Sequence, residues 1–259
     1  MYKNVQGELS FGINTEILKS GKQRLKIRLY PYRDRPNRKW EKYLNKYAGL
    51  DVEIREMVYD AEERKFDYYP VFTYQTPREG KESLENGKKE LLIKGNEELP
   101  YYEEEVTFEV KVPYKLKGWS ESVDLTKENK DELLEEVKTY YLELMNDFKK
   151  RDTIAISKKY YEKEKEIAQA LFFKEEKIKS RWHEDFLSRV LHKTAVVRPF
   201  KTVNLEFLGN GKVVALLKKP WDTEALVVQR TIEENKKKYA HVAVYLHRPK
   251  AGGPLQMIR

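Results

Sequence analysis

The sequence predicts an α+β protein of two modules: a β-sandwich-like domain over residues 1–118, then a domain of three helices and a curved antiparallel sheet over 119–259. Two observations carry this. Apolar residues alternate with polar ones through most of the first 114 positions, the period that sends successive side chains to opposite faces of a sheet. After the glycine of Lys117-Gly118-Trp119-Ser120 the spacing changes to three and four, the period of a helix, before alternation returns near position 195. A length of 259 residues fits two domains of roughly 100–150 each.

In the first module, Leu25, Ile27 and Leu29 alternate with Lys26 and Arg28, and Val106, Phe108, Val110 and Val112 alternate with Thr107, Glu109 and Lys111. Further strands are expected at Leu9–Ile13, Val52–Val58, Tyr68–Tyr74 and Leu91–Lys94, with loops at Gln75–Lys89 and Gly95–Glu105. Between Pro31 and Gly49 the alternation stops. Trp40, Tyr43, Leu44 and Tyr47 recur at helical spacing among Arg33, Arg35, Arg38, Lys39, Lys42 and Lys46, which predicts a short helix or crossover whose aromatics close one end of the sandwich or offer a platform to a ligand.

In the second module, Thr126 is the expected N-cap of a helix reaching Lys150, with a stripe of Leu133, Leu134, Val137, Tyr140, Tyr141, Leu144 and Phe148. A second helix is expected over Ser157–Phe173. A third, Glu175–His192, repeats Ile178, Trp182, Phe186 and Val190 at steps of four. Strands follow at Ala195–Phe200, Val203–Leu208, Val213–Leu217, Ala225–Arg230, Tyr239–His247 and Leu255–Ile258. The Gly209-Asn210-Gly211 turn makes the strands beside it an antiparallel hairpin, and Lys236-Lys237-Lys238 reads as a loop.

The opening helix with its Leu133–Phe148 stripe, the hairpin at Asn210-Gly211 and the closing strands Tyr239–His247 and Pro254–Ile258 together resemble the NTF2-like, or cystatin-like, cone fold over about residues 125–259. With a β-rich module in front, the chain also resembles uncharacterised two-domain bacterial proteins. The resemblance implies a sheet wrapped round a helix, with a pocket that is an active site in some members and binds ligands or proteins in others; fold alone does not choose between these.

Composition narrows the chemistry. The absence of cysteine excludes disulfides, thiolate nucleophiles and cysteine-ligated metals. His183-Glu184-Asp185 lacks the second histidine that a zinc helix places one turn on, where Leu187 stands. His241 and His247 share a strand face about 20 Å apart, too far to ligate one ion. Gly209-Asn210-Gly211 and Ala251-Gly252-Gly253-Pro254 do not link a strand to a helix as phosphate loops do, and no nucleophile elbow is present. No catalytic residue, metal or cofactor is therefore expected. Nor is any run of residues apolar enough to span a bilayer, or any charged-then-apolar leader at the start; the default expectation is cytoplasmic, or periplasmic or exported if a leader has been removed.

Of the charged residues, 51 are Lys or Arg and 43 Asp or Glu, a net charge of +8 with both signs interleaved. The expected function is noncatalytic protein binding, with Arg33, Arg35, Trp40, Tyr43, Arg181 and Trp182 as the candidate surface, because Trp, Tyr and Arg dominate interfaces. The specific expectation is a bacterial immunity protein that neutralises a toxin domain of acidic or neutral surface. Two alternatives stay open: a small-molecule-binding or enzymatic cone, and a nucleic-acid binder using the aromatic and basic residues of Arg28–Arg33 and Arg181–His183.

Overall fold

The computed structural model describes residues 9–31, 33–34, 39–44, 48–79, 92–93, 99–218, 223–233 and 236–258, with backbone alone at 33–34, 39–40, 78–79 and 92–93. It is a mixed α+β protein whose sheets are antiparallel. The chain divides into two compact units. One is Ser20–Pro113; the other joins the segment up to Lys19 with Tyr114–Arg259. The expected junction at Gly118 lies inside the second of these, where the Gly118 N–H donates to Glu166 Oε1 at 2.6 Å.

The Ser20–Pro113 unit is built on two long two-stranded ribbons. In the first, β1 (Gly21–Leu29) pairs along its whole length with β8 (Tyr102–Val110). The alternation read from sequence sets its faces: Leu25 sits opposite Val106 and Gln23 opposite Phe108 on the inner face, while Lys26 and Arg28 face outward. Ile27 and Phe108 are the buried centre of this face, at 4% and 9% exposure.

Between these strands in sequence come β2 (Arg33–Asp34) and β3 (Lys39–Trp40), paired with each other, and the second ribbon, β4 (Asp51–Asp60) with β5 (Lys65–Gln75). Of the short helix or crossover expected round Trp40 and Tyr43, the described residues show no helix: Arg33 pairs with Trp40, and the chain bends at Lys42 and Tyr43. Helical spacing over so few residues does not outweigh strand pairing. Tyr47 lies outside the described residues. Past the second ribbon, β6 (Arg78–Glu79) pairs with β7 (Leu92–Ile93), inside the expected Leu91–Lys94 strand whose two end residues are not described. Of the expected Gln75–Lys89 loop, 80–89 falls outside the described residues, and the end of the Gly95–Glu105 loop is the start of β8.

In the other unit, Leu9–Ile13 is not assigned as the expected strand and leads into a 3-10 turn at Asn14–Glu16. The helix N-cap is Asn129, not Thr126. Asn129 Oδ1 accepts the Asp131 and Glu132 N–H groups, whereas Thr126 lies in a separate 3-10 turn capped by Asp124. Helix α1 (Lys130–Lys150) ends at Arg151 in the left-handed conformation, and Asp152 at once caps α2 (Thr153–Ala170), four residues before the expected Ser157. So short a link makes the pair antiparallel.

The third helical stretch is composite: α3 (Glu175–Ser180), a π-helical segment at Arg181–Leu187, and α4 (Ser188–Val190). Its wider turns re-phase the expected file. Trp182, Phe186 and Val190 reach the core, but Ile178 is 37% exposed.

The strands that follow are β9 (Val196–Arg198), β10 (Val203–Leu208), β11 (Val213–Lys218), β12 (Thr223–Glu224), β13 (Leu226–Thr231), β14 (Lys237–Val242), β15 (Leu246–His247) and β16 (Gln256–Met257). Lys237 and Lys238 thus belong to a strand, paired with Thr231 and Arg230, not to a loop. They lie on an edge strand, where lysines are tolerated because their ammonium groups reach water. The β10–β11 hairpin closes through four residues, 209–212, of which Gly209, Asn210 and Gly211 all take positive φ, and the Gly211 N–H donates to Leu208 O at 3.0 Å.

Strand β11 is buried throughout Val213–Leu217 because it is covered on both faces. Val214 and Leu216 join the α1–α2 core with Leu133, Val137, Leu144 and Tyr160; Val213, Ala215 and Leu217 pack with Tyr245 and Ile258 on the other side. The expected Tyr239–His247 strand breaks at Ala243–Tyr245 because β12 and β15 both pair with the same edge of β11 and leave a gap between them. The buried Tyr141 hydroxyl fills it, donating to Val244 O at 2.6 Å and accepting from Leu216 N at 3.1 Å. A phenol from the helix thus replaces the missing ladder bonds of the sheet.

Candidate functional site

The β4–β5 hairpin is where apolar surface is left uncovered. Thr76 closes its base: its N–H donates to Leu50 O and its Oγ1 accepts from Leu50 N, both at 3.0 Å. At the tip, Asp60 Oδ1 accepts the Glu62 and Glu63 N–H groups, and Arg64 takes positive φ to close the loop.

Between base and tip the two halves are built differently. In the inner half, Val52 pairs with Tyr74 and Ile54 with Phe72 on one face, and this face meets β8: the Phe72 and Phe108 rings are 5.4 Å apart. Tyr74 Oη lies 3.0 Å from Tyr102 Oη, and both hydroxyls donate to the Glu104 carboxylate. These bonds, from Tyr102 first, hold the Glu104 carboxyl below its usual range. Burial, then the carboxylate, pushes the Tyr74 phenol up, and the same two causes raise Tyr102.

At Ile54/Arg55 the register shifts through a bulge at Val71, and most of the large apolar residues change face, while Val58 and Tyr69 stay exposed on the first. On β4 they move from Val52 and Ile54 to Met57 and Tyr59, an odd step that carries them across the sheet. On β5 the extra residue performs the same crossing, so Met57 comes opposite Tyr68 and Tyr59 opposite Phe66. The Tyr59 and Phe66 rings are 5.0 Å apart. Met57, Tyr59, Phe66 and Tyr68 are 57%, 53%, 49% and 57% exposed, although they form one continuous cross-strand cluster. Among the described residues β4 pairs with β5 alone.

The six residues predicted from sequence as a binding surface are distributed elsewhere. Arg35 lies outside the described residues. Arg33 and Trp40 are paired backbone positions, and Tyr43 is half-buried with Lys42 Nζ 4.8 Å from its ring centre. Arg181 is an ion-pair partner of Glu164, at 2.8 and 3.3 Å. Trp182 stacks on Phe186 at 5.0 Å and lies 5.6 Å from Tyr160, against the core. Among other basic groups singled out for nucleic acid, Arg28 pairs with Glu103. The β4–β5 cluster was missed because each strand alone reads as ordinary alternation; the shift from even to odd positions at Arg55-Glu56 is the signal that could have found it.

Other polar groups singled out from sequence, or buried, are paired within the chain. His247 is buried with Nδ1 2.7 Å from Ser122 Oγ, and His241 is half-exposed with Nδ1 3.7 Å from Glu224 Oε2. Arg248 joins Glu128 and Glu136 through four bonds of 2.6–3.1 Å. No group of three or more metal-ligating side chains occurs among the described residues, and no helix among them is long and apolar enough to cross a membrane. A cleft of about 200 Å³ at the end of α1 is lined by Phe148, Lys149, Arg151, Val190, Leu191 and the start of β9, with no carboxylate or imidazole among its walls. No protein-family model matches the chain, and no curated protein or solved structure matches it.

Proposed function

We propose that this is a noncatalytic protein-binding protein that engages its partner through the outer half of the β4–β5 hairpin. The observation that carries the reading is the exposed cluster of Met57, Tyr59, Phe66 and Tyr68, placed on one face by a register change in which both strands take part. Aromatic residues and methionine are enriched at interface centres, and a lone two-stranded ribbon gains most from a further covering layer. The β4 edge away from β5, unpaired among the described residues, offers backbone hydrogen bonds to the same partner.

Within this class, a bacterial immunity protein that occludes a toxin is the narrower proposal. It rests on the resemblance to two-module bacterial proteins. It predicts that the partner expressed alone arrests growth and that co-expression of this chain restores it.

The broader reading is tested by capturing the partner from the source organism, purifying it, and titrating it calorimetrically against the wild-type chain and Tyr59→Ser/Tyr68→Ser. Two central aromatics contribute about 2 kcal/mol or more each, so the double variant should bind at least ~100-fold more weakly. Unchanged affinity for a folded double variant overturns the assignment of this surface.

A further inference from the structure

Resting on that reading, we infer that the partner segment engaging the β4–β5 hairpin is an extended basic polypeptide in which apolar and basic residues alternate. Net charge points the other way, since a chain of +8 draws an acidic or neutral partner at long range. Contact, however, is set by the charges that surround the contact. From Asp51 to Gln75 the hairpin carries seven carboxylates against three cations, Arg55, Arg64 and Lys65. Two of those cations are already engaged within the hairpin: Arg55 by Glu53, and Lys65 by Glu63 at 2.5 Å and Asp67 at 3.6 Å.

Glu56, Asp60 and Glu62 have no ion-pair partner among the described residues; alternation places Glu56 and Asp60 on the face of β4 opposite Met57 and Tyr59, so carboxylates and apolar side chains alternate along the same β4 edge. An extended segment laid along that edge is complementary when it sets apolar residues beside Met57 and Tyr59 and lysine or arginine beside Glu56 and Asp60. A second copy of the hairpin fits poorly for the same reason, because its own surplus carboxylates would meet these at close range.

The test is panning of a phage-displayed random peptide library against the full-length chain, with counter-selection on Tyr59→Ser/Tyr68→Ser checked for folding by circular dichroism. Hairpin-dependent peptides should carry an excess of Lys and Arg alternating with aliphatic or aromatic residues. Their affinity should fall about tenfold in Glu56→Lys/Asp60→Lys and weaken as salt screens the charges. Hairpin-dependent peptides of acidic or uncharged composition overturn the inference while leaving the docking surface intact. Peptides that bind both forms of the chain equally overturn the docking surface itself. A concentration-dependent dimer in sedimentation velocity, lost in Tyr59→Ser/Tyr68→Ser, assigns the surface to a second copy and also overturns the inference.

Discussion

The two ribbons of the Ser20–Pro113 unit are close in length and share the same alternating pattern, yet they treat their outer surfaces in opposite ways. The β1–β8 ribbon covers its outer face with ion pairs, Arg24 to Glu105 and Arg28 and Lys26 to Glu103. The β4–β5 ribbon exposes aromatic rings in its outer half and leaves carboxylates beside them. Both solutions were open to the same backbone. An exposed aromatic face is therefore a property of this hairpin's sequence and of the Val71 bulge, not a consequence of building a sheet.

The comparison breaks most visibly at the phenylalanines. Phe108, 9% exposed against Phe72, should cost about 3–5 kcal/mol when replaced by alanine, through lost burial and the cavity left behind. Phe66, 49% exposed, should cost less than about 1 kcal/mol under the same change. Urea unfolding followed by amide exchange in β8 and β5 separates the two. Equal losses would mean that the outer cluster is structural and that the hairpin is no more available than the ribbon.

Where the ribbons meet, the Tyr74–Tyr102–Glu104 group makes the contact sensitive to pH at both ends. The Glu104 carboxyl is held low when folded, so its contribution is present above the unfolded carboxyl range, about pH 4, and lost as acid protonates it. The phenols are raised when folded, so theirs is complete below about pH 10 and lost above it. Wild type should exceed Tyr74→Phe/Tyr102→Phe most between about pH 5 and pH 9. Bonds to a charged group contribute on the order of 1.5–3 kcal/mol, and partial exposure puts this group at the low end. A stability difference that does not change from pH 3 to pH 11 would deny the group its role.

Much of this architecture could be read from residue spacing, and the failures have physical causes. The α1 stripe was legible because Leu133, Val137, Tyr141, Leu144 and Phe148 all face one core, so period and burial agree. The cap was misplaced at Thr126 because Asp124, Thr126 and Asn129 all favour helix starts, and only the 3-10 turn between them decides which is used. The role of Tyr141 in the β11 fork was invisible, since it depends on strands more than 70 residues away. The candidate surface was sought among basic and aromatic residues close in sequence. It lies instead in the pairing of Met57 with Tyr68 and Tyr59 with Phe66, which exists only once the Val71 bulge has fixed the register.

The smallest expected effects come from removing one charge from each ribbon, a cation from the first and a carboxylate from the second. Arg24→Gln removes the partner of Glu105 on an exposed face, where such pairs contribute about 0.2–1 kcal/mol and fade with salt. Glu56→Gln removes a carboxylate with no cation partner among the described residues, so stability should stay within about 0.5 kcal/mol of wild type. In binding the order reverses: Arg24→Gln should leave partner affinity unchanged, while Glu56→Gln should weaken it in low salt and less so in high salt. Titration of both variants against the purified partner at two ionic strengths checks this. If Glu56→Gln destabilises the fold but binds normally, the hairpin's carboxylates act on the chain itself, and the two ribbons differ less than their surfaces indicate.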